Sequence, residues 1–503
     1  ILAQTKKGYG MGTAAQGKMA AHQAKKLEDD TLLAFRDRFA LPLSNEDVHN
    51  LRFYKPAEDS PEMKYLHARR QALGGYVPSR APKTATVPVP ELQSFARLLE
   101  GSGDREQSTT MVFVQMLSQL LRDKNIGKHI VPIVADEART FGMQSLFRQV
   151  AIYSPHGQLY EPEDKDELLY YKEAKNGQIL EEGITEAGAI SSWIAAATSY
   201  SAHGVPMLPF YIFYSCFGFQ RIGDLVWSAA DSRSRGFLLG ATAGRTTLSG
   251  EGLQHEDGSS HILFSTVPNC VAYDPAFGYE VTTIVRDGMR RMLEDQEDVF
   301  YYVTVMNENY AHPAMPAGSE EGILKGMYRL REGKSKKGAP TVQLLGSGTI
   351  LREVIAAAET LEKDWTIAAN VWSVTSFTEL RREGMGVERW NRLHPDAPQK
   401  QTWVEENLSK SSGPVVAASD YMRALPELIR AWIPRKYVVL GTDGFGRSDS
   451  RAALRDFFEV DRSHVVVAAL KALADEGAID RKIVGRAIEK YGVAADRPNP
   501  WDV

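Results

Sequence analysis

The chain has 503 residues, 43% of them hydrophobic and 24% charged, the balance of a soluble globular protein rather than a disordered or fibrous one. That length exceeds what one core can serve, so roughly three domains are expected. A formal charge of −5 argues against nucleic-acid binding, no apolar run is long enough to span a membrane, and Cys216 and Cys270 alone make no disulfide framework, which fits a reducing cytoplasm.

The chain opens on Ile1, with neither an initiator methionine nor a charged-then-apolar leader, and reads as a piece of something longer. Residues 1–84 are polar and uneven: a Gly-rich entry (KKGYGMGTAAQGKMAAHQ), a charged helical pattern, then a proline-rich stretch over Tyr76–Pro90 that signals a linker. From Glu91 helical periodicity (ELQSFARLLEGSG, MVFVQMLSQLLRDK) leads to the strand HIVPIVADE and to a helix over ILEEGITEAGAISSWIAAATSYSAHG. The strand MLPFYIFYS, a further helical segment and GFLLGATA follow. Strands alternating with helices argue a mainly parallel sheet covered on both faces. Lys325–Pro340 reads as a basic, Gly-rich seam, and TVQLLGSGT, ILREVIAAAETLEKD, NVWSVTSF, VVAASD, KYVVLGTD and two final helices form a second α/β domain.

Several groups of residues are candidates for chemistry. Gly236–His261 sets six glycines around Arg245, Glu251, His255, Glu256, Asp257 and His261. Burying that many titratable groups needs partners or a ligand, although a solvated loop accounts for the pattern as well. Glu181, Glu182 and Glu186 are expected in the first turns of the apolar helix, with Glu182 and Glu186 on one face; the helix dipole explains the first two. Glu186, set deeper among small residues, is a carboxyl that desolvation can prepare to share a proton with a ligand nitrogen. Asp136 and Glu137 end a presumed parallel strand, where ligands bind in open sheets and where capping acids are equally common. Tyr214, Phe217 and Phe219 form an aromatic cluster after a strand, more often core than cofactor shelf, and Arg221 beyond it is free to pair with an anion or cap the fold. GTDGFGRSDSR and LGSGT match neither phosphate-loop pattern, and His255 and His261 lack metal-ligand spacing.

Taken in order, EEGITEAGA, ADEARTFGM, FYSCFGFQRIGD, GEGLQHEDGSSH, MNENYAHPAMP and LGTDGFGRSDSR resemble the homodimeric bacterial-type pyruvate dehydrogenases, the thiamine-diphosphate-dependent decarboxylating components of their complex. The resemblance runs from Ile1 to Val503. It implies a transketolase-like α/β fold of parallel sheets flanked by helices: 1–84 as the tail of a diphosphate-binding domain with the first active-site loop and a linker, 85–330 as the pyrimidine-binding domain, and 340–503 as the C-terminal domain. It implies a cytoplasmic enzyme that decarboxylates pyruvate and acetylates the lipoyl domain of a dihydrolipoyl acetyltransferase, with thiamine diphosphate and Mg2+ as cofactors. By the same resemblance Glu186 hydrogen-bonds a pyrimidine nitrogen, Phe217 stacks on that ring, and Tyr214 is a nearby polar contact. His255, with Glu251 beside it, touches the substrate-derived adduct, and Lys7 faces the substrate carboxylate. His22 transfers a proton from a first mobile loop, His156–Lys175 is the second such loop, and Asp136 and Glu137 lie near the cofactor at the domain interface. The family's Gly-Asp-Gly…Asn metal signature is absent, since neither Asp257-Gly258 nor Asp443-Gly444 supplies it. The metal ligands and the acetyltransferase-docking end are therefore expected upstream of Ile1, and this chain alone should bind the cofactor weakly. Two other readings stay open on sequence: a non-catalytic dimerising fragment, and a related enzyme acting on another 2-oxo acid or a ketose.

Overall fold

The computed structural model describes residues 2–23, 27–76, 81–135, 138–163, 171–334 and 338–503. The chain divides into two units, Ile1–Ser79 and Arg80–Val503. The smaller unit holds short helices with strong local signals. Pro61–Ala72 starts with proline behind the Ser60 cap, and Asn45–His49 carries a reciprocal Ser44/Asp47 capping box. Its buried side chains are few, among them Ala15, Val48 and Met63.

The larger unit is built on two sheets. The first consists of β1 (Ile130–Val134), β2 (Leu180–Glu181), β3 (Leu208–Tyr214), β4 (Phe237–Ala241), β5 (Cys270–Tyr273) and β6 (Phe300–Val305), paired throughout in parallel in the order β2-β1-β3-β4-β6-β5. Alternation along β3 assigns its faces. Phe210 and Ile212 pack toward α1 (Thr109–Arg122), while Tyr211 and Phe213 pack toward α2 (Glu186–Ala197) and α3 (Phe219–Asp231). Each such side chain, fully withdrawn from water, contributes roughly 1.5–3 kcal/mol. α4 (Gly278–Met289) covers the α1 side of the sheet.

The second sheet comprises β7 (Met327–Arg331), β8 (Thr341–Gly346), β9 (Ala368–Val374), β10 (Val415–Ala418) and β11 (Tyr437–Leu440), in the order β7-β9-β8-β10-β11. All pairs are parallel except β7–β9. Helices α5 (Leu351–Trp365), α6 (Phe377–Leu393) and α7 (Arg462–Asp475) flank it. The expected Gly-rich seam thus contains an edge strand, β7; its Arg329 and Arg331 hid an alternating pattern. Glu280 of α4 joins the two sheets: fully buried, it accepts hydrogen bonds from the Ala276 and Phe277 amides and from the Tyr328 and Ser373 hydroxyls. No described helix is long and apolar enough to cross a membrane.

Candidate active site

Chain order reverses direction between β1 and β3: β2 lies to one side and β4 to the other. At such a switch point the connecting loops part and leave a crevice at the carboxyl ends of the strands, the usual ligand site of an open parallel sheet. The loop after β1 brings Phe141 to this crevice, where its ring meets Tyr214 at 5.5 Å between centroids. The end of β3 contributes Tyr214, the turn after it Phe217, and the Gly-rich loop after β4 contributes His255. The three rings form a triangle, with centroid separations of 5.9 Å for Tyr214–Phe217 and 5.2 Å from His255 to each. All three are half-buried, so an edge or face stays open to a ligand.

Glu186 enters from the start of α2. The helix begins there because Gly183 takes a φ of +77° that breaks the preceding segment, and the Thr185 hydroxyl then accepts the Gly188 amide. This corrects two expectations. Glu181 closes β2 and Glu182 lies in the loop, so neither occupies a first helical turn or shares a helix face with Glu186. Glu181 instead accepts the Tyr171 hydroxyl. Nor is Glu186 held in purely apolar surroundings. Its side chain is 17% exposed and its Oε1 accepts from Arg221 Nη1 at 2.5 Å. The same guanidinium lies 3.9 Å above the Phe217 ring centroid. A flat, cationic N–H donor therefore rests on the aromatic face and points into the carboxylate.

Beneath this pair Tyr211 presents a buried hydroxyl that has no hydrogen-bond partner among the described residues. Burial raises the pKa of that hydroxyl, and the negative charges of Glu186 and Glu182 raise it further, so it remains a phenol able to donate. Sequence reading missed this residue, although strand alternation places it two positions before Phe213 on the α2 face. Burial likewise pushes the Cys216 thiol up to about 12, with Asp257 adding to the effect, which leaves it no nucleophile at neutral pH.

Glu251 and His255 share the loop after β4, and His255 Nδ1 sits 3.3 Å from the Gly252 carbonyl. Behind them the polar seam deepens. His261 is buried against Thr304, which donates to Asp274 Oδ1 at 2.7 Å. Desolvation pushes His261 down to about 4 and Asp274 up to about 7.

Lys7 and His22 lie in the smaller unit, where they line one open concavity of about 790 Å³ with Gly17, Lys18 and Met19. Asp136 and Glu137 lie outside the described residues, as does 164–170 within the expected second loop. The described flanks of that loop pair Ile152–Tyr153 with Glu173–Ala174, and Tyr160 and Tyr171 both donate to Glu173.

Residues 86–313 match the family described as pyruvate dehydrogenase E1 component middle domain, and residues 326–461 match the transketolase-like C-terminal domain. The chain is 63% identical over 503 residues to the pyruvate dehydrogenase E1 component of Pseudomonas aeruginosa, covering all of this chain and 57% of that one. It is 56% identical to the same component of Escherichia coli K12, covering 99% of this chain and 56% of that one. This chain belongs to the pyruvate dehydrogenase E1 component family. It spans little more than half the length of the curated relatives it matches. Among solved structures, transketolase from Campylobacter jejuni superposes with a TM-score of 0.59 at 16% identity, over 92% of this chain and 61% of that one. A Pichia stipitis transketolase gives 0.58 at 15% identity, over 90% and 60%. The chain thus has the transketolase-like α/β fold expected for it, with its aromatic triangle at the sheet's switch point.

Proposed function

We propose that this chain supplies the pyrimidine-side half of a thiamine-diphosphate site, and that the complete protein decarboxylates pyruvate and acetylates a lipoyl group. The observation that carries the reading is the Arg221 guanidinium, stacked on Phe217 and paired with Glu186. A planar nitrogen heterocycle needs the same two things, an aromatic face and a carboxylate at its edge, so the donor set fits an aminopyrimidine. Fit to the diphosphate and Mg2+ is another matter. Among the described residues the one cluster with metal-ligand spacing is Asp456, Asp461 and His464, and Arg497 already donates to Asp456 and lies against His464. No step is therefore assigned to metal held by these residues.

When bound, thiamine diphosphate supplies the electron sink that makes loss of carbon dioxide feasible. The chain's residues do the placing and the proton work. Glu186 accepts a hydrogen bond at a pyrimidine ring nitrogen and holds the proton there, while Phe217 fixes the ring plane and Tyr214 supplies a polar contact. His255 and Glu251 face the substrate side, where the imidazole is the group that moves a proton. Lys7 attracts the pyruvate carboxylate, and His22 passes a proton as the acetyl group moves to a lipoyl sulfur. On the same reading Asp136 and Glu137 are the acids that act near the cofactor.

The same reading takes 1–84 as the end of a diphosphate-binding domain with its loop and linker, 85–330 as the pyrimidine-binding domain and 340–503 as the C-terminal domain. It assigns a homodimer, a dihydrolipoyl acetyltransferase partner and a cytoplasmic setting. The experiment is turnover of the complete protein with thiamine diphosphate, Mg2+ and an artificial electron acceptor, on pyruvate, 2-oxobutyrate, 2-oxoglutarate and xylulose phosphate. Pyruvate is expected to lead. Preference for a larger acid or for the ketose, or no turnover, overturns the proposal.

A further inference from the structure

The loop that carries Glu251 and His255 meets its own sheet where the Ala243 amide donates to the Val305 carbonyl at 3.3 Å, and beyond that point it is held from elsewhere. Residues 242–258 leave β4 through Thr242, at a φ of 41°, and Gly244, at 85°. A threonine in that left-handed region is strained, and such a conformation persists only where its surroundings over-determine it.

Those surroundings come from the second sheet. Asp420, two residues beyond β10 and fully buried, accepts five hydrogen bonds from three consecutive loop residues. Its Oδ1 takes the Thr246 amide at 2.9 Å and the Thr246 hydroxyl at 2.6 Å. Its Oδ2 takes the Arg245 amide at 3.1 Å, the Thr247 amide at 3.2 Å and the Thr247 hydroxyl at 2.7 Å. A Cβ on Gly244 would stand 2.1 Å from Asp420 Oδ2, so the close approach requires glycine there. Farther along, Gly250 donates to the Asp449 carbonyl at 2.9 Å, the Arg447 amide donates to Glu256 at 2.7 Å, and the Met422 amide donates to the Gly258 carbonyl at 2.9 Å. From Arg245 to Gly258 the loop is tied to residues 420–449.

We infer that Asp420 is a positioning residue: by gathering the Arg245–Thr247 amides and hydroxyls it holds the loop so that His255 stays against Tyr214 and Phe217, and the second sheet thereby sets the substrate side of the site. The cofactor side is anchored separately, because Glu186, Tyr214 and Phe217 stand on elements of the first sheet. Assigning His255 and Glu251 to substrate rests on the function proposed above. A carboxylate suits the task because it only accepts. An amide of the same shape would turn an NH2 toward backbone N–H groups that cannot reciprocate.

The test uses the complete protein with Asp420→Asn and, as a milder change, Thr247→Val. Amide hydrogen exchange, thiamine-diphosphate half-saturation and pyruvate kcat are read together. In Asp420→Asn, exchange at residues 245–247 should quicken about tenfold or more while β8 amides keep their protection. Pyruvate kcat should fall about tenfold, with cofactor half-saturation held within about twofold. Thr247→Val should move the same readouts less. Unchanged loop exchange in Asp420→Asn overturns the inference, and so does quickened exchange with kcat intact. A parallel loss of cofactor affinity and turnover also overturns it, since that marks general loosening. Absence of pyruvate turnover in the unsubstituted protein would defeat the functional reading instead, and loop exchange would then decide whether Asp420 clamps the loop.

Discussion

Arg221 donates to Glu186 at 2.5 Å while lying 3.9 Å above the ring of Phe217, so one guanidinium covers both the carboxylate and the aromatic face. A heterocycle that uses the same two surfaces must displace it. Arg221 is 48% exposed on its side chain, and a pair so placed is worth about 1 kcal/mol or less. Arg221→Met should therefore tighten thiamine-diphosphate half-saturation in the complete protein, by at most about fivefold. Calorimetric titration checks this, and weaker binding would count against displacement.

Among the described residues His255 faces the aromatic shelf with one long hydrogen-bond contact, 3.3 Å from its Nδ1 to the Gly252 carbonyl. Its imidazole is thus available to a ligand. His255→Ala should lower pyruvate turnover by about 10² or more while leaving cofactor affinity nearly unchanged. Steady-state kinetics beside cofactor titration separates the two effects.

Asp274 gives the seam a pH signature. Burial, opposed in part by the Thr304 hydrogen bond, lifts its carboxyl from 3.8 to about 7. The folded state therefore binds a proton more tightly than the unfolded state. The associated stability is complete below about pH 4 and is lost as pH rises toward 7. Asp274→Asn keeps the acceptor for Thr304 and removes the titration. Relative to the unsubstituted protein, the variant should gain thermal stability between pH 5 and pH 8, by at most about 4 kcal/mol. Melting curves at the two pH values test this; an equal difference at both would contradict it.

Glu280 supports the junction of the two sheets, and its four donors are of two kinds. The Tyr328 and Ser373 hydroxyls can turn to accept from an amide, whereas the Ala276 and Phe277 amides cannot. Glu280→Gln should accordingly cost about 1 kcal/mol or less. Glu280→Ala leaves two buried N–H groups unpaired and should cost about 3 kcal/mol or more. Denaturant unfolding of both variants compares them.

Much of the architecture was legible in local pattern. The apolar, aromatic-rich run MLPFYIFYS marked β3, and the periodic ILREVIAAAETLEKD marked α5, because such patterns are properties of neighbouring residues. Glu181 and Glu182 were misread as helical for an equally local reason: β2 is two residues long, too short for a period, and the following apolar run overwhelmed it. β7 was missed because Arg329 and Arg331 made an edge strand resemble a basic loop. Glu186, Tyr214, Phe217 and His255 could be named together only by resemblance, and the geometry brings these four to one crevice. The partners that act on them were out of reach of pattern. Arg221 pairs across 35 residues and Asp420 across more than 170, and such contacts are set by sheet order rather than by spacing along the chain. Tyr211 was hidden differently, since a strand tyrosine with a buried hydroxyl looks like any other core ring.

The central claim is that the Glu186 carboxylate holds a proton at the cofactor's pyrimidine and so governs release of the proton on its thiazolium carbon. Hydrogen–deuterium exchange at that carbon, followed by quenched NMR in the complete protein with and without Glu186→Ala, measures this directly. Exchange should slow by about 10² or more in the variant while its circular dichroism and melting point stay close to those of the unsubstituted protein. Exchange at an unaltered rate would contradict the role given to Glu186.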